Sequence, residues 1–259
     1  MGAGAKHRLV FVDRLLVTLV HLRHGTTHDV LACWFGVDRS TATRAIGEIR
    51  PLLAERGCTV EAGVRLRTLA EVIGHLEASG RTAILDATEI RVRRPAQGTA
   101  GRDRFISGKG KQNAVKAMVL TDAYGRLLFC GEARPGSCPD ITQARGSGLV
   151  DLLDTGPWVE ILADVGYQGL GGQTGGQVVT PPHRKFRKNP PAWYEEMHTR
   201  DKHAHSSRRI RVEHGIAHLK NWRSLARHHS RHEYLPETIQ AVAAVASHQQ
   251  STTRPLTMA

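Results

Sequence analysis

Three carboxylates in this chain sit where they could do chemistry. Asp86 ends an apolar run, Arg81-Thr82-Ala83-Ile84-Leu85-Asp86, and Asp164 ends a second, Val159-Glu160-Ile161-Leu162-Ala163-Asp164. Glu213 lies in a basic stretch of helical character, Ile210-Arg211-Val212-Glu213-His214, followed by Leu219-Lys220-Asn221-Trp222. Two aspartates at the ends of separate strands and a glutamate on a later helix can converge on one point. Three acids brought together repel one another unless cations hold them, which is how a two-metal site for phosphodiester chemistry is built. Taken singly, each also reads as a strand-end carboxylate or a helix ion-pair partner.

The rest of the chain is strongly basic. Lys and Arg number 36 against 24 Asp and Glu, a formal net charge of +12, with a pI near 10.1. That excess favours a polyanionic partner, nucleic acid above all; the plainer reading is solubility or an arginine-rich coding bias. The 259 residues suffice for one large domain or two modest ones. The four cysteines, Cys33, Cys58, Cys130 and Cys138, form no C-x-x-C pair. They indicate neither a zinc site nor a disulfide framework, and fit a reducing compartment. No apolar run approaches the ~18 residues of a membrane span. The stretch near residues 9 to 22 contains Arg14 and His21 and has no small-residue cleavage site, so it is not read as a signal peptide. The expectation is a cytoplasmic protein with no membrane partner.

The first eighty residues predict helices. Leu15, Leu16, Leu19 and Leu22 share a face, and Gly25 is placed to stop that helix. Thr26 caps the next, with Val30, Leu31, Trp34 and Phe35 as its apolar positions, and Gly36 makes a tight turn. Asp38 caps a third helix that buries Ala42, Ala45, Ile46 and Ile49, and Pro51 kinks or ends it. This is the helix-turn-helix pattern. It puts Arg39, Ser40, Thr41, Thr43 and Arg44 on the leading, outer part of the third helix, residue types that reach phosphates and base edges. An ordinary three-helix packing unit has the same spacing. A further helix spans Thr68 to Ala78, and Gly80 marks a boundary between a helical domain, 1–80, and a second domain, 81–259.

From residue 81 the pattern turns to strands: Ala83 to Ile90, Val115 to Thr121 and Leu127 to Glu132, the last two joined by the turn Asp122-Ala123-Tyr124-Gly125. Ile161 to Asp164 is a fourth, and Val178-Val179 sits in a fifth. Asp140 to Leu153 reads as a helix after Pro139, and Glu237 to His248 as a closing helix. Arg91 to Asn113 and Gly169 to Gly176 read as loose loops. A meander followed by mixed strands and helices argues for an α/β or α+β layer. Residues 183 to 232 hold thirteen Lys and Arg, four Asp and Glu, and nine His. Lys185, Arg187, Lys188, Arg208, Arg211, Arg223, Arg227 and Arg231 there are candidate phosphate contacts. His214 and His218, at i and i+4, read as surface or DNA-contacting residues, since no H-E-x-x-H frame is present. Trp222 reads as a core anchor, Asp122 as a turn residue, and Glu89 as facing away from Asp86.

Asp86 in Leu-Asp-Ala-Thr-Glu, Asp164 in Ala-Asp-Val-Gly-Tyr-Gln-Gly and Glu213 in Arg-Val-Glu-His-Gly-Ile-Ala-His-Leu-Lys resemble the DDE transposases of bacterial insertion sequences. So do the preceding helix-turn-helix, Ile106-Ser107-Gly108-Lys109-Gly110-Lys111, and Pro135-Gly136-Ser137. The resemblance covers about 230 residues in the family's order. It implies a ribonuclease H-like mixed-sheet catalytic domain preceded by an all-α DNA-binding domain. It further implies that Asp86, Asp164 and Glu213 bind two magnesium ions, manganese substituting, for strand cleavage and transfer at the element's ends. Lys109, Lys111, Arg209 and Lys220 are then expected on DNA, the last two at i−4 and i+7 from Glu213. Double-stranded DNA is the expected partner, with a homo-oligomer to hold two ends. The family's tyrosine before the arginine is Ser206 here, its His-Asp after Gly-Ser is Cys138-Pro139-Asp140, and its histidine after the lysine loop is Asn113. The alternatives are a catalytically inactive, transposase-derived DNA-binding protein, or a nuclease of this fold without strand transfer.

Overall fold

The structure, a computed structural model, describes residues 8–186 and 188–253. Three helices lead: α1 (Phe11–His24), α2 (His28–Trp34) and α3 (Arg39–Ala54). Gly25 ends α1 in the left-handed region, at φ 67°, where a side chain would be strained. The cap of α2 is Thr27, whose hydroxyl accepts from the Val30 N–H, and not Thr26 as expected. Asp38 occupies the cap position of α3 but pairs with Arg8 at 2.7 Å instead of bonding the helix. Pro51 neither ends nor breaks α3, which runs on to Ala54. Gly47, four residues before it, is exposed, so the carbonyl that loses its donor is open to water. Leu9, Val17, Leu31, Ala42, Ala45 and Ile46 form the core of this unit. Leu16, Val30 and Trp34, expected to pack, are exposed.

The chain then departs from the all-helical reading of residues 1–80, while the helix expected from Thr68 to Ala78 is present. β1 (Cys58–Glu61) and β2 (Val64–Leu66) form a hairpin, followed by α4 (Leu69–Ser79). Thr68 and Glu71 make a capping box at the start of α4. Thr68→Ala is expected to lower stability by about 1 kcal/mol, read from urea unfolding of the variant against the parent. Val60, Leu66, Leu69, Val72 and Leu76 pack with the main sheet and not with α1–α3.

That sheet holds β3 (Ala83–Val92), β4 (Ala114–Asp122), β5 (Leu127–Pro135), β6 (Ile161–Ala163), β7 (Val178–Val179) and β8 (Arg227–His228). The order is β5-β4-β3-β6-β7, with β3, β4 and β5 antiparallel, β6 parallel to β3, and β7 parallel to β6. Counted from β3 this is 3-2-1-4-5, the order of a ribonuclease H-like sheet. Alternation sorts its residues onto two faces. Leu85, Met118 and Leu120 face α4, α5 (Asp140–Arg145), α6 (Leu149–Thr155) and α7 (Leu170–Gln173). The expected helix from Asp140 to Leu153 is thus two helices, parted at Gly146 to Gly148. The Gly169 to Gly176 stretch is not loose: Leu170 and Thr174 are buried, and the Thr174 hydroxyl bonds the Leu170 carbonyl and the Val178 N–H.

On the other face, Ile90, Ala117 and Val119 meet α10 (Arg223–Ala226), the closing helix α11 (Leu235–Thr252), Leu22 of α1 and the buried Trp222. α8 (Ala192–Arg209), which no apolar stripe foretold, leads into α9 (Arg211–Lys220), whose Val212 packs on Ile84 and Leu162. α3 is tied to α11 by the buried Arg50, which bonds Glu237 at 3.0 Å and lies over the Tyr234 ring. The segment from Arg91 to Asn113 contains a short 3-10 turn, Arg102–Phe105, and an Ile106–Asn113 bridge. No helix among the described residues is long and apolar enough to cross a membrane.

Candidate active site

The edge of β3 away from β4 is covered by two different strands. β6 pairs with Ala83 to Leu85, and β8 with Arg91 and Val92. Between them, from Asp86 to Ile90, none of the described residues pairs with that edge. Asp86 is the first residue past the end of β6, and Asp164 follows Ala163, the partner of Leu85. The register therefore sets the two aspartates side by side where β6 stops, Asp164 just past the carboxyl end of β6 and Asp86 within the longer β3. Glu89 pairs with Lys116 on the opposite face, and Asp122 is buried in the β4–β5 turn against Arg126, as expected.

Each aspartate is held locally. Asp86 Oδ1 accepts from the Ala87 N–H at 2.7 Å, and Oδ2 lies 3.4 Å from Arg209 Nη2. Asp164 caps the 3-10 turn Val165–Tyr167, its Oδ1 accepting from the Gly166 N–H at 2.8 Å. Burial pushes the Asp86 carboxyl above the usual aspartate range. The Ala87 N–H and Arg209 oppose that shift, and Asp164 and Asp140 add to it. Asp86 is thus a carboxylate whose charge is short of compensation.

Asp140, which in the sequence is a helix start and part of a departure from the family pattern, lies in this group. Lys116 Nζ holds its Oδ1 at 2.9 Å. A Cβ on Gly166 would stand 3.0 Å from both Asp140 Oδ2 and Asp164 Oδ1. Tyr167 is buried, with its hydroxyl unpartnered, and the acids bearing on it are Asp140, Asp86 and Asp164, after the desolvation that dominates. An unpaired buried hydroxyl costs about 1–3 kcal/mol, so something polar is wanted there. A glycine two residues after a strand-end aspartate, with a tyrosine next to it, was the available sequence signal.

Glu213 stands apart. It is exposed in the first turn of α9 and is not among the charges bearing on Asp86. Among the described residues no three His, Cys, Asp or Glu side chains are grouped to hold a metal ion. The structure brings Asp86 and Asp164 together and leaves the third expected carboxylate outside. Arg209, expected on DNA, is instead mostly buried against Asp86, with its Nε unpartnered. Lys220 is exposed at the end of α9, and His214 and His218 are exposed on its outer face.

The lysine loop is anchored from β3. The buried Ser107 hydroxyl donates to Glu89 Oε1 at 2.6 Å and accepts from the Gly110 N–H, leaving Lys109 and Lys111 exposed. In the helix-turn-helix, Arg39, Ser40, Thr43 and Arg44 are exposed and line a groove of about 1050 Å³ with Arg50 and Arg231, while Thr41 is half-buried. Thr43 Oγ1 is held by His28, Arg39 lies 3.3 Å from Asp29, and Arg208 is paired with Glu160. Arg187 lies outside the described residues.

Two family models match the two parts of the chain. The family described as DDE superfamily endonuclease matches residues 85–247, and the helix-turn-helix of DDE superfamily endonuclease matches residues 7–59. A protein of Streptomyces albus G described as "Putative transposase for insertion sequence element IS112" is 29% identical over 227 residues, 86% of this chain and 73% of that protein. Among solved structures, a Mos1 transposase paired-end complex with left transposon end aligns over 95% of this chain and 81% of its own at 12% identity and a TM-score of 0.22. The Mos1 strand transfer complex gives the same figures. Superpositions that poor say nothing about the fold, which rests on the strand order above. The endonuclease match runs from Leu85 to Ser247, through all six strands of the main sheet and the helices of its second face, and the chain belongs to the DDE superfamily of endonucleases.

Proposed function

We propose that the protein is an insertion-sequence transposase: a divalent-metal-dependent DNA endonuclease and strand-transferase acting at its element's ends. The observation that carries this reading is the side-by-side placement of Asp86 and Asp164 at the uncovered edge of β3 in a chain of the DDE family. The donors suit magnesium, a hard cation that takes oxygen ligands and keeps part of its water. A half-buried, under-compensated carboxylate and a glycine that keeps the space beside it clear both fit such an ion. Asp86 and Asp164 would hold it, with Glu213 as the third acid that the family resemblance assigns; manganese would substitute. Bound there, the metal supplies Lewis acidity for an in-line displacement at the scissile phosphate.

The chain's own groups do the rest. Arg209 balances Asp86 in the absence of metal, and its guanidinium is positioned for a phosphate once Asp86 has another cation. Lys109, Lys111 and Lys220 offer exposed ammonium groups to the DNA backbone. Arg39, Ser40, Thr41, Thr43 and Arg44 present the leading face of α3 to a terminal repeat. A homo-oligomer would hold two ends at once. Arg39→Ala and Arg44→Ala are each expected to weaken binding to DNA. Each should also flatten the dependence of log K on log salt by about 0.9 per lost phosphate contact, measured by fluorescence anisotropy across a salt series.

The test is incubation of purified protein with DNA bearing the element's ends, with and without magnesium. Metal-dependent cleavage followed by joining supports the proposal. Nicking without joining would assign a nuclease. End binding with no cleavage in magnesium or manganese would assign a DNA-binding protein, the reading that the exposed position of Glu213 also suits.

A further inference from the structure

We propose that Asp140 is a further acid of the divalent-cation site, its Oδ2 accepting a hydrogen bond from the ion's hydration shell while the Tyr167 hydroxyl donates into the same space. This rests on the metal-dependent reading above and adds residues to it. Lys116 holds Asp140 Oδ1 at 2.9 Å, which leaves Oδ2 turned toward Gly166. Asp140 Oδ2 and Asp164 Oδ1 both lie 3.0 Å from the point where a Cβ at Gly166 would stand, so any side chain there would fill the space between them. Two carboxylate oxygens facing one gap repel unless a cation or its water occupies it.

Tyr167 points independently to a ligand. It is 1% exposed, its hydroxyl has no partner, and the charges bearing on it are those of Asp140, Asp86 and Asp164, with Arg209 opposing them. A buried phenol among three carboxylates has acceptors in reach only if one turns, or if water enters with an ion. The described residues hold no trio of acids already grouped for a metal. Asp140 therefore acts through water, as magnesium and manganese permit by keeping part of their hydration shell. Groups that bond a metal's ligands from outside typically change affinity by about 10- to 100-fold when removed.

The experiment is titration of Mn2+ into the full chain, following free Mn2+ by electron paramagnetic resonance, with circular dichroism to check the fold. The parent is expected to bind, Asp164→Asn to lose binding, Asp140→Asn to weaken it about 10-fold, and Tyr167→Phe to weaken it less. Lys116→Met separates this from a structural ion pair. If Asp140 serves only to hold Lys116, Lys116→Met weakens Mn2+ as much as Asp140→Asn does. If Asp140 faces the ion, Lys116→Met keeps or tightens binding, because the carboxylate is freed. Parent-like affinity in Asp140→Asn, with binding lost in Asp164→Asn, overturns this inference and leaves the metal-dependent reading intact. Equal binding, or equal failure to bind, in the parent and Asp164→Asn overturns both.

Discussion

Asp86→Asn and Asp164→Asn are each expected to lower magnesium-dependent cleavage of end-bearing DNA by at least about 1000-fold, on the scale of losing a main stabiliser of transition-state charge. Binding to the same DNA should stay within about twofold, because α3 and the exposed lysines are untouched. A single-turnover cleavage assay beside an anisotropy titration reads both. Cleavage that survives either change would place the chemistry elsewhere. The Asp86 variant should also be more stable than the parent without metal. Burial raises the Asp86 carboxyl above its unfolded value, so the folded state binds the proton more tightly than the unfolded one. The ionised form then costs stability, a cost absent below the unfolded pKa and complete once pH exceeds the raised, folded one. At pH 7 without metal, Asp86→Asn should therefore melt above the parent, and the gap should close as pH falls through the aspartate range. A site that loses activity while gaining stability is built to receive a cation. A lower melting temperature for Asp86→Asn at pH 7 would mean that the Arg209 contact dominates.

Gly125→Ala is expected to be the most damaging small substitution on the sheet. Gly125 sits at φ 80°, and a Cβ there would lie 2.3 Å from the Arg211 carbonyl oxygen at the start of α9. The left-handed conformation and the collision together cost roughly 2–5 kcal/mol, a large share of a domain's stability. The same turn receives α9 from the other side: a Cβ on Gly215 would lie 2.8 Å from the Gly125 carbonyl oxygen and from Thr121 Cγ2. The two glycines let a helix and a hairpin turn touch backbone to backbone, which sets where Glu213 stands. Urea unfolding should show the loss, and cleavage should fall even at temperatures where the variant remains folded. Near-parental stability in Gly125→Ala would show that α9 can back away freely.

Much of this was legible along the chain because it depends on local period. Apolar runs bounded by turn signals marked β3, β4 and β5, since helices cover both faces of these strands and little polar alternation remains. Gly25 and the turn before α3 were legible from the positive φ that glycine tolerates. The hairpin at 58–66 was not, because strands of four and three residues carrying Thr59, Glu61 and Arg65 are too short and polar to show alternation. α8 was missed for the opposite reason: its eighteen residues bury Tyr194 and His205 and little else, so no stripe exists to read.

The sequence by itself determined the chemistry available: aspartates closing two apolar runs, a basic helix-turn-helix and a cationic C-terminal third. Tertiary structure alone decided which of these groups meet. β6 stops at Ala163 while β3 runs on to Val92, and that mismatch in length sets Asp86 beside Asp164. Helix docking brings Asp140 from α5 and Arg209 from α8 to the same place, and the contact of α9 with the β4–β5 turn leaves Glu213 exposed. A one-dimensional pattern reports which face of an element is buried. Charges a few ångströms apart are set by strand register and helix docking between residues 24 to 123 positions apart, and no local period carries that information.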